Sequence, residues 1–460
     1  MAIDFQELRD REFSRLDAEA HVYLDYTGSG LYSESQIRRH AEVLTHNVYG
    51  NPHSRNPTSL AATRMVDEVR ERLLGFFDAD AADYEVVFTP NATGALKLVG
   101  ESYPFQPGSR FVLTADNHNS VNGIREFAAA HDAEVLYIPL QKGLQIPSVQ
   151  EHLGGVDHGC PNLFVFPAQS NFSGVKHPME WVASAQGLGY DVFLDAAAFA
   201  PTSSLKLREF KPDYVALSFY KMFGFPTGVG ALLARRSALK KLRRPWFCGG
   251  TVRFVSAQPG VQLPHVTGRA FEDGTLNFLD IAAIPLGLDF LEEIGMERVN
   301  ARVMWLTETI LQHFRELTHS NGAPMICVYG PSTCENRGAT VAFNVLDPQG
   351  ELVDFRSVEE RANQENLSLR TGYFCNPGAA EFAFEHPDDE IRRCASTFTA
   401  ESFSIQQFSV CLNRRPVGGV RISFGVASTI GDMDRLLQVL TSFRDVVQSP
   451  ASGAAQVASG

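Results

Sequence analysis

Lys221 lies in the run Ser218-Phe219-Tyr220-Lys221-Met222-Phe223-Gly224-Phe225-Pro226-Thr227-Gly228, among aromatic and glycine residues that leave little water around an amine. Desolvation lowers an amine's pKa, and an amine that is neutral for part of the time can condense with a carbonyl. The carbonyl cofactor that such a lysine holds as a Schiff base is pyridoxal phosphate; a lysine snorkelling from a strand end is the plainer reading. Asp195 closes the apolar run Asp191-Val192-Phe193-Leu194. A buried carboxylate needs a partner, and a protonated pyridine nitrogen is one kind, an N-cap or salt bridge another. In Pro90-Asn91-Ala92-Thr93-Gly94, small residues ahead of a helical pattern allow backbone N–H groups and a hydroxyl to close on a phosphate, or only to cap the helix. His118, in Asp116-Asn117-His118-Asn119-Ser120, is a loop hydrogen-bonder or a ligand group. Cys375 stands in the turn Tyr373-Phe374-Cys375-Asn376-Pro377-Gly378, where a free thiol is more often a small buried hydrophobe than a nucleophile.

These residues need elements to position them. Apolar runs predict strands at Tyr84–Thr89, Phe111–Thr114, Val135–Ile138, Leu163–Phe166, Asp191–Asp195, Asp213–Leu217 and Val229–Leu233. Helical patterns alternate with them, including Ser59 to Phe77 with Met65, Val69, Leu73 and Leu74 on one face. That rhythm predicts an α/β fold: a mainly parallel sheet with helices on both faces and ligand chemistry at the strand ends. From about residue 295 the pattern changes to a long helix over 296–317, a strand over 340–345, a helix over 357–365 and a strand over 420–424. The expected organisation is a large domain over 20–294, a smaller α+β domain from 1–19 and 295–447, and a disordered tail over 448–460. Residues 1–20 read as one charged amphipathic helix, and Val22–Tyr26 as a strand.

With 460 residues and 44% hydrophobic content the chain can bury a full core. The net charge of -13 argues against a nucleic-acid or anionic-membrane partner, because a polyanion is repelled on average. Neither a secretory leader nor a membrane-length apolar stretch is present, so the expectation is a cytoplasmic protein. Seven cysteines, odd in number and without a Cys-x-x-Cys pair, fit neither a disulfide framework nor a metal site, so reduced thiols are expected.

Six separated strings resemble one group of enzymes: Tyr49-Gly50-Asn51-Pro52-His53-Ser54, Pro167 to Gly174, Ser218 to Gly228, Phe271-Glu272-Asp273-Gly274-Thr275, Arg370-Thr371-Gly372 with Phe374-Cys375-Asn376, and Arg421-Ile422-Ser423-Phe424-Gly425. With the strand-end Asp, the loop His and the Ser-x-x-Lys order, they are similar to the class V aminotransferases of the fold-type I pyridoxal phosphate enzymes. Within these the likeness runs to the cysteine desulfurases, and over about residues 20–445 to the aminotransferase-like domain of the molybdenum cofactor sulfurases.

The resemblance implies roles. Lys221 holds the cofactor, Asp195 pairs with its ring nitrogen, His118 stacks on the ring, and Asn171 bonds the phenolic oxygen. Thr93, Gly94, Ser218 and Tyr220 hold the phosphate, and Thr275 reaches the phosphate of a neighbouring subunit, which implies a homodimer. Arg421, with Arg370 and Asn51, takes the substrate, and a guanidinium fork suits a carboxylate. Cys375 is the thiolate that takes sulfur from L-cysteine as a persulfide while alanine leaves, for onward transfer to an acceptor protein or cofactor. The relay thiols common two residues before and five after that cysteine are Tyr373 and Ala380 here, and no room is expected for the sulfurases' C-terminal cofactor-binding domain. Two rivals stand: a pyridoxal phosphate-dependent C–S or C–C lyase, β-decarboxylase or epimerase in which Cys375 is a bystander, and a catalytically silent domain that binds a partner. The Phe-rich stretch 380–419, with Phe382, Phe384, Phe398, Phe403 and Phe408, reads as packing, a lid or a docking loop.

Overall fold

Period-two burial builds the larger half. In the computed structural model, which describes residues 4–157 and 159–447, seven strands form one sheet in the order Tyr84–Thr89, Gly230–Arg235, Tyr214–Ser218, Tyr190–Asp195, Asn162–Pro167, Arg110–Thr114 and Glu134–Ile138. Only Gly230–Arg235 runs against its neighbours; the other pairings are parallel. Alternate side chains enter different cores. Val86, Phe88, Phe164, Phe166, Val192 and Leu194 join one cluster, while Val87, Leu163, Val165 and Phe193 join another. Helix Pro57–Phe76 covers the first face through Val66, Val69 and Leu73, and helix Ala92–Ser102 the second through Ala95, Leu96 and Val99. Burial on both faces explains why the strands read as continuous apolar runs. The fold is therefore the α/β architecture the sequence predicts.

The smaller sheet has four antiparallel strands in the order Ile326–Tyr329, Thr340–Val345, Gly419–Ser423 and Arg370–Gly372, backed by helices Met296–Glu316 and Ile430–Thr441. The amino-terminal segment serves both halves. Leu8, Phe13 and Leu16 enter the larger core, whereas Val22 and Leu24 enter the smaller one. The helix expected over residues 1–20 is broken at Phe13 into Phe5–Glu12 and Ser14–Ala18, which turns the ring into the core 6.1 Å from Phe290. The strand expected over Val22–Tyr26 shortens to Val22–Tyr23, with Asp25 bridging separately to Ser423. Helix Glu34–His46 escaped the sequence reading although its start was signalled: Ser33 accepts from the Gln36 N–H, a Ser-x-x-Gln capping pattern. Residues 1–3 and the expected tail over 448–460 lie outside the described residues. Among the described residues no helix is long and apolar enough to cross a membrane.

One expectation is overturned. Cys394 and Cys411 form a disulfide between the short helices Asp388–Ala395 and Ile405–Cys411, so the thiols are not all reduced. The cause is local: a small cluster of Leu412 and Val417, with Phe398 and Phe408 against it, folds the two helices together and faces the sulfurs toward each other. In the same stretch Phe384 is buried against Phe172 and Tyr373, while Phe382 and Phe403 are exposed. Thiol titration of the unfolded chain should therefore find five free thiols before reduction and all seven after it, and seven before reduction would contradict the pairing.

Candidate active site

Lys221 is carried by the single-turn helix Phe219–Phe223 directly after the central strand Tyr214–Ser218. Phe219 and Phe223 stack on each other at 6.0 Å and fix the turn from below. The turn 27–30 closes above it: Gly30 N–H donates to the Tyr220 carbonyl at 2.9 Å, and a side chain at Gly30 would run into the Lys221 backbone. Lys221 is half-buried at the wall of a cleft that it shares with Thr93, His118, Ser120, Gln169, Asn171, Asp195, Ser218 and Tyr220. Each of these side chains comes from, or just beyond, the carboxyl end of a strand in the large sheet, where a twisted parallel sheet leaves its crevice. Burial pushes the Lys221 amine below the ordinary lysine range, Asp195 opposes that, and the guanidinium groups of Arg421 and Arg370 add to it. Burial likewise lowers the His118 imidazole, against the pull of Asp195.

The cleft fits pyridoxal phosphate on the donor set it presents. Asp195 is buried, and among the described residues its bond is through Oδ1, which accepts from the Ala197 N–H at 3.0 Å. Helix Ala92–Ser102 opens onto the cleft with three hydroxyls beside it: Thr93 Oγ1 and Ser120 Oγ share a hydrogen bond of 2.8 Å, and Ser218 Oγ accepts from the Ala92 N–H. Gln169 is buried with its amide oxygen unpartnered among the described residues, and its amide nitrogen makes one long bond of 3.4 Å to Thr340 Oγ1. Such an orphan in a polar cleft points to an absent partner.

Some predicted residues sit differently from expectation. The Gly94 N–H is taken by Asn91 Oδ1 at 2.9 Å, an ordinary N-cap, so Thr93 and the hydroxyls are what the helix start offers an anion. Asn171 lines the cleft, but its amide nitrogen donates to the Phe374 carbonyl at 2.7 Å and its Oδ1 accepts from Asn376 at 2.9 Å. It clasps the cysteine turn with one amide N–H and keeps the second, so Asn171 and the loosely held Gln169 amide nitrogen both retain a donor toward the cleft. Thr275 and Asn51 are exposed and meet at 3.4 Å, outside the wall of the Lys221 cleft; Thr275 borders a neighbouring hollow with Gly94 and Gly228.

Cys375 is exposed, yet its turn is anchored. Asn119 N–H donates to the Cys375 carbonyl at 2.7 Å, which sets the cysteine beside the helix start that carries His118. Asn376, wholly buried, donates to the Asp116 carbonyl at 2.6 Å as well as to Asn171, and caps helix Pro377–Ala383. Phe374 and Cys375 both have φ near 55°, a left-handed conformation that costs each non-glycine residue about 1–3 kcal/mol and persists only where surroundings impose it. Asn376 anchors the cysteine turn, a role that no local sequence pattern signals.

Asp25 was missed as well. Arg421 is buried; its two terminal nitrogens donate to Asp25 Oδ1 at 3.0 Å and to the Asn171 carbonyl at 2.9 Å, and its face lies 4.8 Å from the Phe374 ring. Arg370 donates to both oxygens of the same Asp25, at 2.6 and 2.9 Å to Oδ2 and 3.2 Å to Oδ1.

This fold is shared with known desulfurases. The cysteine desulfurase of Thermococcus onnurineus NA1 superposes with a TM-score of 0.77 at 22% identity, covering 97% of this chain and 100% of that one. The cysteine desulfurase CsdA of Escherichia coli gives 0.74 at 18% identity, covering 96% and 99%. Residues 22–436 match the aminotransferase class-V family, and the chain belongs to it. Within that family it is 37% identical over 469 residues to molybdenum cofactor sulfurase of Homo sapiens, covering 95% of this chain and 51% of that protein. The sulfurase of Arabidopsis thaliana is 35% identical over 491 residues, 98% of this chain and 59% of that protein. The chain spans about half the length of these relatives.

Two outcomes follow from the geometry. A lysine whose pKa is depressed in the folded state binds fewer protons there than when unfolded, so the cofactor-free chain should gain stability as pH rises toward the ordinary lysine pKa of about 10.4. Lys221→Met should be the more stable protein at pH 7 in urea unfolding, with the gap closing by pH 10; a constant gap would contradict the depressed pKa. Asn376→Ala strands two buried acceptors and should cost about 2 kcal/mol, with faster hydrogen exchange at Asn119 and Ala379.

Proposed function

We propose that this chain is a pyridoxal phosphate-dependent cysteine desulfurase-like enzyme that takes the sulfur of L-cysteine onto Cys375 as a persulfide and releases alanine. The observation that carries this reading is the anchored turn that presents an exposed Cys375 next to the cleft of Lys221, Asp195 and His118.

Pyridoxal phosphate, bound through Lys221, supplies an electron sink for the carbanion left when the substrate loses its Cα proton. Lys221 Nζ, with its lowered pKa, is suited to take that proton and return one. Asp195 Oδ2 is oriented for a ring nitrogen by the bond its other oxygen accepts from Ala197. The hydroxyls of Thr93, Ser120 and Ser218, with Tyr220 beside them, serve the phosphate, and His118, kept neutral by burial, offers a flat face. Arg421 and Arg370 receive the substrate carboxylate.

Cys375 Sγ, as thiolate, attacks the substrate sulfur. The S–S bond forms as the C–S bond breaks, the carbon keeps the electron pair and is protonated, and the products are a persulfide and alanine without any outside oxidant. The names of the 35–37% identical relatives support a molybdenum cofactor as final acceptor of the outer sulfur. A cytoplasmic homodimer belongs to the same reading: exposed Thr275 and Asn51, and the exposed Phe254, Leu263 and Val266 on or beside the hairpin Val252–Val255/Gln262–Pro264, support a second copy on that side.

Lys221→Ala should take up no Schiff-base absorbance with pyridoxal phosphate while its circular dichroism is unchanged, and retained turnover would overturn the assignment. Cys375→Ser should keep that absorbance and its response to L-cysteine but release alanine about a hundredfold or more slower. Alanine release at the original rate would favour the lyase reading instead.

A further inference from the structure

Two arginines face each other across the small sheet. Arg370 and Arg421 are register partners on the antiparallel strands Arg370–Gly372 and Gly419–Ser423, an arrangement that like charges destabilise. A single carboxylate, Asp25, binds both, through Oδ1 to Arg421 and through both oxygens to Arg370. Its side chain is almost wholly buried, and the turn that follows is cut to fit: a side chain at Gly28 would collide with Asp25 Oδ2 and with Arg370. Arg421 is buried, whereas the Arg370 side chain is 50% exposed. The cluster of two guanidinium groups and one carboxylate thus carries one net positive charge, next to the lysine cleft whose amine it influences.

We propose that Asp25 sets the charge class of the substrate: by neutralising one of two cross-strand arginines, it leaves a site that accepts an amino acid with one carboxylate and refuses one with a second anionic group on its side chain. This rests on the reading that Arg421 and Arg370 receive the substrate, and it extends that reading from how the carboxylate is held to which amino acids are turned away. A substrate carboxylate matches the one surplus charge. A side-chain carboxylate or sulfinate would find no surplus charge left in this cluster once the first carboxylate is bound, and an unpaired charge beside the buried Arg421 and Asp25 is costly. Asp25 touches no substrate atom in this account; it is a positioning and charge-setting residue.

The test is calorimetric binding of propionate and succinate to the cofactor-loaded protein, which needs no turnover. Wild type should favour propionate, and Asp25→Asn should shift the ratio of the two affinities toward succinate by about tenfold or more, as a second unpaired guanidinium is uncovered. Asp25→Asn/Arg370→Gln, with one cation again, should restore the wild-type ratio. If Asp25→Asn does not fold, Arg370→Gln alone decides: its cluster has no surplus charge, and propionate affinity should fall about tenfold or more. An unchanged ratio in folded Asp25→Asn, or full propionate affinity in Arg370→Gln, overturns the proposal. Because these anions report binding alone, a protein that obeys the charge rule yet forms no alanine from L-cysteine would lose the desulfurase reading and keep this one.

Discussion

Arg421 is a buried guanidinium held from three directions. Asp25, from the amino-terminal strand segment, takes one terminal nitrogen; the Asn171 carbonyl, from the loop after the inner strand Asn162–Pro167, takes the other; the Phe374 ring lies against its face. A buried cation without such partners would cost several kcal/mol. Burial lowers its pKa, and Asp25 opposes that shift. Meeting its requirements therefore brings three remote parts of the chain to one point, and the turn that bears Cys375 follows from that meeting.

That turn is built more firmly than an exposed loop need be. Asn171 and Asn376 clasp each other and the backbone around them, and Asn119 holds the Cys375 carbonyl. Two consecutive left-handed residues store backbone strain where a thiol is presented, which is where structures tend to keep it. With the turn fixed, the proposed function would bring a substrate in the cleft and an acceptor outside to the same sulfur, since Lys221 lines the cleft and Cys375 is exposed. The long-range contacts of Asp25 and Asn376 thus position the groups that the proposed chemistry would use.

Much of this was legible in the sequence because it is local. Continuous apolar runs ending in Asp195, or leading into Lys221 and His118, place those residues at strand ends before any contact is known, and the structure brings them to one cleft. Thr93 and Ser218 follow from the same rhythm. Asp25, Asn376 and Gln169 were not legible, since each draws its meaning from residues more than a hundred positions away. The bond from the Asn171 amide to the Phe374 carbonyl was not legible either, and at Gly94 the structure shows the helix-cap alternative: a side-chain amide has several possible mates, and only packing chooses. The disulfide eluded composition because seven scattered cysteines do not announce which pair a small cluster will bring together.

The proposed function stands or falls on the passage of sulfur from cysteine to Cys375. The most direct measurement is to load the protein with pyridoxal phosphate, add one equivalent of L-cysteine without reductant, and compare alanine released with sulfur retained, mapping the latter by peptide mass. Equal amounts of alanine and of one added sulfur atom on the peptide containing Cys375 are expected. Alanine with free sulfide and an unmodified Cys375, or no alanine at all, would contradict the proposed function.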